Sequence, residues 1–261
     1  MSNSITVIIP TYNSTKYIGK VINSIIGQSV KPNNIILVDD NSDDYKLLNI
    51  IVSKIKKESF KNIKLISSTN NQGPGSNRNL AWSKCNTDLL AFCDDDDFWY
   101  KDKLKQQLKI FEKNKNIKLV ASKKKMMNHL FKDKNLNNVS KLSKLFFYKL
   151  LFKNYIPTSS VVIKSNLKNR FLNEYYAEDY FLWLSILKEN HECYFINDYL
   201  CEELKISKKI KLSNDFIKIN KGAQNVLSQF YCRNLIDNLL VTLAKVYYYF
   251  KMIIKKIIYI K

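Results

Sequence analysis

Four short apolar runs in the first hundred residues are separated by segments with helical periodicity. The first run, residues 5–9, is β-branched throughout, as expected of a strand that is buried on both faces. The other runs cover residues 35–38, 63–67 and 89–93, and helical spacing follows at 17–26, 47–55 and 80–84. This alternation predicts an α/β fold, with a Rossmann-like, mostly parallel sheet flanked by helices and joined by right-handed crossovers.

Each of the four predicted strands runs into a polar segment. These segments read PTYN, DDNSDD, NNQGPGSNRN and DDDDFW, in chain order. The carboxyl ends of parallel strands lie along one edge of a sheet, and ligands of open α/β sheets bind at that edge. The sequence therefore predicts that the functional chemistry of this chain is gathered along one edge.

Residues 94–97 are four consecutive aspartates in a chain with 43 Lys+Arg, 23 Asp+Glu and a formal net charge of +20. Such a cluster repels itself unless something positive lies against it. Carboxylate oxygens are hard ligands that suit Mg²⁺ or Mn²⁺, and alternation along a strand end would point Asp94 and Asp96 the same way. We therefore predict a Mn²⁺ or Mg²⁺ site, with a solvated acidic turn as the alternative.

The chain contains no recognised glycine-rich phosphate loop. Neither G-x-x-x-x-G-K-[ST] nor G-x-G-x-x-G occurs, and there are only five glycines. A metal ion at the aspartates would therefore have to hold a diphosphate itself. Along the same predicted edge, Tyr12 offers a ring for stacking, and Asp39 or Asp40 offers an oxygen to a base or ribose.

The second half of the chain is less regular. Residues 157–164 and 192–196 are predicted strands, and residues 177–190 are a predicted amphipathic helix that starts with Glu178 and Asp179. Acidic residues in a first turn are also favoured by the helix dipole, so a purely structural role for this pair is the alternative to a catalytic one. From about residue 217 the pattern is helical to the end.

The last residues form an amphipathic pattern. At about 100° per residue, one arc of the helix carries Lys245, Lys251, Lys255 and Lys256. The opposite arc carries Val246, Phe250, Ile253, Ile254 and Ile257. This composition predicts a helix in a membrane interface with its lysines at anionic headgroups, and the alternative is a helix packed on the main domain with a solvated lysine face.

Composition limits the compartment and the partners. A net charge of +20 implies an anionic partner, which could be nucleic acid, an anionic membrane surface or a phosphorylated substrate. The five cysteines contain no C-x-x-C pair, which favours a reducing cytosol over a disulfide framework or a zinc site. The N-terminal residues lack the pattern of a signal peptide, and no run reaches the ~20 apolar residues that span a bilayer.

Five motifs carry a resemblance to a known family. VIIPTYN, ILVDDNSDD, NNQGPGSNRN, AFCDDDDFW and AEDYFLWL, in this order and spacing, resemble glycosyltransferase family 2 of the bacterial surface-polysaccharide type, from residue 4 to about 190. The resemblance implies a GT-A fold whose Asp-x-Asp motif holds a divalent metal. It implies a GT-A domain at 1–205, with a nucleotide-sugar half at 1–100 and an acceptor half at 101–205. Residues 206–261 would then form a C-terminal helical, basic membrane-association segment.

The resemblance also implies roles for individual residues. The implied nucleotide-binding residues are Pro10, Thr11, Tyr12, Asp39, Asp40, Arg78, Asp94 and Asp95. The implied metal ligands are Asp94 and Asp96, with Asp95 and Asp97 as the other possible frame of the motif. Asp179 is the implied general base, and the implied acceptor-side residues are Trp99, Thr158, Ser159 and Glu178.

The function implied is inverting, metal-dependent transfer of one sugar from a UDP-sugar to a lipid-linked saccharide. The enzyme would work on the anionic inner face of the cytoplasmic membrane, in the biosynthesis of O-antigen, capsule or lipooligosaccharide, without a nucleic-acid partner. One alternative is a non-enzymatic basic adaptor that binds nucleic acid or anionic membrane, which leaves the aspartates without a purpose. Another is a degenerate transferase that binds its donor without reacting.

Overall fold

The computed structural model describes residues 3–126, 141–203, 215–230 and 235–259. The strands are β1 (Ile5–Thr11), β2 (Asn34–Asp39), β3 (Ile63–Ser67), β4 (Leu89–Phe92), β5 (Asp97–Trp99), β6 (Ile117–Met126), β7 (Leu142–Lys144), β8 (Val162–Lys164) and β9 (Glu192–Glu203). The helices are α1 (Thr15–Ile26), α2 (Tyr45–Glu58), α3 (Gly73–Trp82), α4 (Lys103–Lys113), α5 (Phe147–Leu150), α6 (Glu178–Lys188), α7 (Phe216–Ser228) and α8 (Leu235–Tyr259).

A single sheet organises the fold, in the order β3-β2-β1-β4-β8-β6-β9-β5, with β7 paired to β9. Strands β1 to β4 are mutually parallel, as the alternating pattern predicts. Beyond β4 the sheet is mixed, because β8 runs antiparallel to both β4 and β6 while β6 and β9 are parallel. The α/β architecture is confirmed, and its uniformly parallel part is the first half of the chain.

Strand β1 lies at the centre of two apolar layers and is buried along its whole length. Ile8 faces a layer that contains Phe92 and Trp183. Ile9, pointing the other way, joins a layer with the apolar face of α1. Each such fully buried aliphatic side chain contributes roughly 1.5–3 kcal/mol, so the two layers hold the strand ends in a fixed arrangement.

Helix α3 begins at Gly73, seven residues before the start that the spacing of apolar residues predicts. Its first turn accommodates Pro74, whose missing N–H would have no helical partner at that position. Gly73 has φ of +83°, a conformation that side chains disfavour. The glycine-rich motif is therefore the start of a helix and not the loop before one.

The aspartate run is a turn and not the end of a strand. Strand β4 stops at Phe92, and the backbone N–H of Asp97 donates to the carbonyl oxygen of Asp94 at 3.2 Å. The alternation of side chains along a strand therefore does not apply to Asp94 and Asp96, and that argument for their common direction is wrong. Residues 157–164 likewise form a 3₁₀ turn, Thr158–Ser160, followed by β8.

The C-terminal part contains the paired helices α7 and α8. Helix α8 buries Val241, Ala244 and Tyr248 against the rest of the protein. No helix within the described ranges is long and apolar enough to cross a bilayer. Residues 206–214 of the predicted C-terminal segment, and the side chains of Lys255, Lys256 and Ile257, lie outside the described residues.

Candidate active site

The polar segments that follow the strands meet at one edge of the sheet, as predicted. Tyr12, after β1, donates its backbone N–H to Asp95 Oδ2 at 3.2 Å. Arg78 on α3 lies between the aspartate turn and the start of α6, with Nη2 2.6 Å from Asp94 Oδ1 and Nη1 2.9 Å from Glu178 Oε1. One buried guanidinium thus connects motifs that are 100 residues apart in the sequence.

The aspartates after β2 have different surroundings. Both carboxylate oxygens of Asp40 accept backbone N–H groups, from Gln72 at 2.7 Å and Gly73 at 2.9 Å, so this side chain fixes the start of α3. Asp39 Oδ2 accepts the N–H of Ser42 at 3.0 Å, whereas its buried Oδ1 has no hydrogen-bond partner among the described residues. Because a buried acceptor without a partner is costly, Asp39 Oδ1 is the better candidate to receive a ligand N–H or O–H.

The other predicted nucleotide residues line the same edge. Pro10 and Thr11 are buried at the end of β1, opposite Val38 and Asp39 of β2. Tyr12 follows them, and its side chain is 45% exposed. An exposed ring directly after a buried strand is a suitable surface for stacking a base.

Among the residues that the structure describes, Arg78 and Lys124 place positive charge against the aspartate run. Arg78 pairs with Asp94, and Lys124 Nζ lies 3.0 Å from Asp97 Oδ2 and 3.8 Å from Glu203 Oε2. Burial opposes charging of Lys124, but these carboxylates outweigh it and raise the lysine's pKa. The run of four aspartates is therefore tolerated partly because the protein supplies its own positive charge.

The four aspartates are not equivalent. Burial alone would raise the pKa of Asp94, yet Arg78 and Lys124 lower it below the ordinary value. Asp97 is fully buried and paired with Lys124, which makes it part of the support of the turn. Asp94, Asp95 and Asp96 are only half-buried, so each of them is more accessible to a ligand than Asp97.

The aspartate turn can accommodate a hard divalent cation together with a ligand. Across the described ranges, no group of three or more His, Cys, Asp or Glu side chains could hold a metal by itself. Mg²⁺ commonly binds through one or two carboxylates and completes its shell with water and substrate phosphates. Asp94 and Asp96 fit that arrangement, because their carboxylates are half-buried and the sequence has no glycine-rich loop to hold the phosphates.

The candidate base lies in the first turn of α6. Asp179 Oδ2 accepts the hydroxyl of Thr158 at 2.9 Å, and the Asn154 amide lies 3.3 Å from both carboxylate oxygens. The residue before the helix, Ala177, has φ of 63°, an uncommon conformation for a side chain that bears a Cβ. Burial raises the pKa of Asp179, partly offset by the bonds to Thr158 and by Arg78.

Most of the predicted acceptor-side residues are buried beneath the sheet edge at which the polar segments meet. Trp99 is buried and donates its indole N–H to the carbonyl oxygen of Ser159 at 3.0 Å, with Lys103 Nζ 4.0 Å from a ring centroid. Ser159 is also buried and accepts the N–H of Asp94 at 2.9 Å. These side chains hold the aspartate turn in place, while Thr158 contacts Asp179 and Glu178 contacts Arg78.

Sequence reasoning missed two residues of the site. Lys124 belongs to a run of three lysines, which normally indicates a solvated face, and nothing in the run marks its central member. Asn154 lies outside every motif and reaches Asp179 only because α5 and the segment after it pack near α6. No local pattern could have identified either residue, since both act through partners that are distant in sequence.

Comparison with solved structures shows what class of protein this fold defines. The S. aureus TarS 1–349 complex with UDP-GlcNAc matches 91% of this chain and 70% of its own, with a TM-score of 0.68 and 20% identity. The Pyrobaculum calidifontis mannosyltransferase PcManGT, in complex with GDP-Man and Mn²⁺, matches 95% of this chain and 70% of its own, with a TM-score of 0.67 and 16% identity. The fold is that of the GT-A glycosyltransferases.

Sequence comparison gives the family. The model of glycosyl transferase family 2 matches residues 6–171, and the chain belongs to this family. A relative from Escherichia coli, UDP-Glc:alpha-D-GlcNAc-diphosphoundecaprenol beta-1,3-glucosyltransferase WfgD, is 29% identical over 96% of this chain and 92% of its own length. The protein is therefore an enzyme, a glycosyltransferase, as its motifs predict.

Proposed function

We propose that the enzyme is an inverting, divalent-metal-dependent transferase that moves one sugar from a UDP-sugar to a lipid-linked saccharide. The bridge through Arg78 is the observation that carries this proposal, because it joins Asp94 of the aspartate turn to Glu178, the residue before the proposed base Asp179. The E. coli relative, named for a UDP-glucose donor and a diphosphoundecaprenol acceptor, supports both substrate classes. The product would enter O-antigen, capsule or lipooligosaccharide.

The donor nucleotide is proposed to lie on the strand ends of the first half. Tyr12 would stack on the uracil, and Asp39 Oδ1 would accept from the base or ribose, which would satisfy its buried oxygen. Pro10 and Thr11 would form the floor beneath the nucleoside. Asp40 would act indirectly, since its two oxygens already hold the start of α3.

The diphosphate is proposed to lie at the aspartate turn. Asp96 and Asp94 would hold Mn²⁺ or Mg²⁺, and the bound ion would supply positive charge to the leaving diphosphate. Arg78 keeps Asp94 ionised by lowering its pKa, and the Asp95 carboxylate ties the turn to Tyr12 by accepting its backbone N–H. Ser159 and Trp99 fix the turn from behind, so the carboxylates are positioned before the donor arrives.

Asp179 is proposed to remove the proton from the acceptor hydroxyl. The acceptor oxygen forms its bond to the anomeric carbon on the face opposite UDP, the bond from that carbon to the diphosphate oxygen breaks, and the proton passes to the Asp179 carboxylate. One displacement inverts the anomeric centre. Thr158 and Asn154 orient the carboxylate, and its raised pKa makes it a stronger base than an ordinary aspartate.

A lipid-linked acceptor places the enzyme peripherally on the inner face of the cytoplasmic membrane. The excess of basic residues is then accounted for by anionic lipid and by the two diphosphates of donor and acceptor. No nucleic-acid partner is proposed. The alternative of a non-enzymatic adaptor is not retained, because family membership and the arrangement of carboxylates both favour catalysis.

The test is a transfer assay with a panel of UDP-sugars and a short-chain polyprenyl-diphosphate saccharide as acceptor. We expect one donor to give a product heavier by one sugar, in the presence of Mn²⁺ or Mg²⁺, with the β-anomer formed from an α-linked donor. Proton NMR of the product reads the anomeric configuration. Retention of configuration, or full activity in EDTA, would contradict the proposed mechanism.

A further inference from the structure

Helix α8 exposes a continuous apolar face to solvent. Six large apolar residues on it are between 45% and 85% exposed: Leu235, Leu239, Leu243, Val246, Phe250 and Ile254. At about 100° per residue, all six fall within an arc of roughly 100°, and the rise of ~1.5 Å per residue spreads them over nearly 30 Å. Monomeric proteins rarely expose an apolar surface of this extent without a binding partner.

The opposite side of α8 is already packed. Val241, Ala244 and Tyr248 are buried, and the rings of Tyr248 and Tyr180 lie 6.4 Å apart. Tyr247, at the margin of the packed side, makes an edge contact with Phe152 at 6.0 Å. The helix is therefore anchored in its present orientation, and rolling the exposed face inward would expose the residues now buried.

Lys251 of α8 does not lie on the apolar face. Lys251 is half-buried, with its ammonium 5.4 Å from the ring centroid of Tyr248 and 5.5 Å from that of Phe216 on α7. It thus lies toward the protein, while the apolar arc points outward. The described part of α8 therefore packs on the domain with Lys251 on its inner side.

The surrounding charge favours an anionic partner. Helices α7 and α8, with the N-cap Asp215 of α7, carry six lysines and two aspartates; Lys221 is exposed, and Lys218 is exposed but lies 3.2 Å from Asp215 Oδ2. A second copy of this chain would bring the same positive charge to the interface, which opposes self-association. An anionic phospholipid surface is complementary to both the apolar arc and the lysines.

We propose that the outward apolar face of α8 inserts into the headgroup region of an anionic bilayer. The inference deepens the proposed function, because it specifies how an enzyme with a lipid-linked acceptor contacts the membrane that holds that acceptor. Tyr180, the partner of Tyr248, directly follows Asp179 in the sequence. The helix that contacts lipid therefore packs on the helix that carries the base, which fixes the height of the active site above the bilayer.

Vesicle flotation tests this proposal. The full chain is mixed with vesicles of phosphatidylcholine and phosphatidylglycerol, and the double variant Leu239→Gln/Leu243→Gln is compared with Leu47→Gln/Ile50→Gln on α2. The control residues are similarly exposed, at 51% and 64%, against 59% and 49% for the α8 pair. We expect the α8 variant to lose at least about tenfold in vesicle affinity, while the α2 variant binds like the wild type.

A tryptophan reporter checks insertion directly. The wild-type tryptophans are buried, so Phe250→Trp adds a reporter on the exposed arc. We expect its emission to shift to the blue with vesicles and to be quenched by brominated lipid. An unshifted spectrum, equal vesicle binding by the two double variants, or a wild-type dimer that only the α8 variant converts to monomer would overturn the proposal.

The assay with a short-chain, water-soluble acceptor separates this inference from the proposed function. Intact transfer to that acceptor by wild type and α8 variant, without vesicle binding by either, would overturn the docking proposal alone. Vesicle binding that depends on α8, without transfer to any acceptor, would support docking while the proposed function fails. Equal calorimetric affinity for UDP in both proteins shows that the α8 variant is folded.

Discussion

Carboxylates occur on both sides of the candidate site, and Asp94 on the donor side has an environment opposite to that of Glu178 and Asp179 on the acceptor side. On the donor side, Arg78 and Lys124 outweigh the effect of burial and lower the pKa of Asp94. On the acceptor side, burial dominates and raises the pKa of Glu178 to about 7 and that of Asp179 above its ordinary value. The two sides share one guanidinium, since Arg78 contacts both Asp94 and Glu178.

The difference teaches how one residue type can serve two purposes. A carboxylate that must stay ionised beside a diphosphate benefits from paired cations, whereas a general base benefits from a raised pKa, because it then holds the proton it removes. The difference in pKa comes from where these carboxylates lie. Asp94 is in a turn beside two cations, whereas Glu178 and Asp179 are in the partly buried first turn of α6. Arg78 keeps the two sides at a fixed separation.

The largest expected effect comes from a substitution that changes the acceptor side and leaves the donor side intact. Asp179→Asn removes the base and should lower kcat by about 10²–10⁴-fold, with UDP affinity unchanged. Steady-state kinetics and UDP titration measure the two quantities. Asp88→Asn is the matched control, because Asp88 lies at the amino end of β4, away from the site, and its side chain accepts hydrogen bonds only from Ser4 among the described contacts. Equal kcat in the two variants would show that Asp179 is not the base.

Breaking the bridge should cost stability as well as activity. Arg78→Met leaves Asp94 and Glu178 without their shared cation, and the free energy of unfolding should fall by about 3–5 kcal/mol. Urea unfolding measures the loss. Arg170→Met is the control, since Arg170 stacks on Trp82 and donates to backbone carbonyls, with a loss of about 1 kcal/mol. Similar losses in both variants would contradict the importance of the bridge.

The distance between helices α3 and α6, which carry Arg78 and Glu178, depends on Gly75. A Cβ at Gly75 would overlap the carbonyl oxygen of Leu172 and lie 2.9 Å from Glu178 Cγ, so Gly75→Ala must push α3 away from α6. We expect destabilisation of about 1–3 kcal/mol in urea unfolding. Gly19→Ala, where the nearest atom is Ile51 Cγ2 at 3.9 Å, should stabilise helix α1 by roughly 0.5–1 kcal/mol. Effects of the same sign would refute the close approach of the two helices.

The smallest expected effect is a pH dependence from Glu178. Burial, with Asp179 adding to it, raises the pKa of this group from 4.5 to about 7, despite Arg78. The folded protein then holds the proton more tightly than the unfolded chain, so the free energy of unfolding should fall as pH rises through this interval. Glu178→Gln should flatten that slope, while Glu174→Gln, at an exposed position, should keep it. An unchanged slope in Glu178→Gln would contradict the assigned environment.

The donor side could largely be predicted from the sequence, for a physical reason. Strands β1 to β4 are buried on both faces, so each appears as a continuous apolar run, and parallel order brings their polar ends together. Asp39 and the aspartate run were therefore placed correctly at one edge. Their partners were not predicted, because Lys124 on β6 and Ser159 in the 3₁₀ turn before β8 lie far along the chain and reach the aspartates only in the tertiary structure.

The acceptor side was harder to predict. Strands β5, β7 and β8 have three residues each, too few for a period to be visible. The orientation of α8 also could not be predicted from the sequence. Its amphipathic pattern predicts membrane contact and leaves packing on the domain as the alternative. Contacts such as Tyr248 with Tyr180 decide which face is buried, and they depend on the finished tertiary structure.

Calorimetric titration of UDP tests the division between the two sides most directly. The wild type is titrated with Mn²⁺ and with EDTA, and Asp96→Asn, Asp179→Asn and Asp88→Asn are titrated with Mn²⁺. We predict that the wild type binds UDP only with Mn²⁺, that Asp96→Asn loses this binding, and that the other two variants keep it. Binding of UDP by Asp96→Asn at wild-type affinity, together with its loss in Asp179→Asn, would contradict the account.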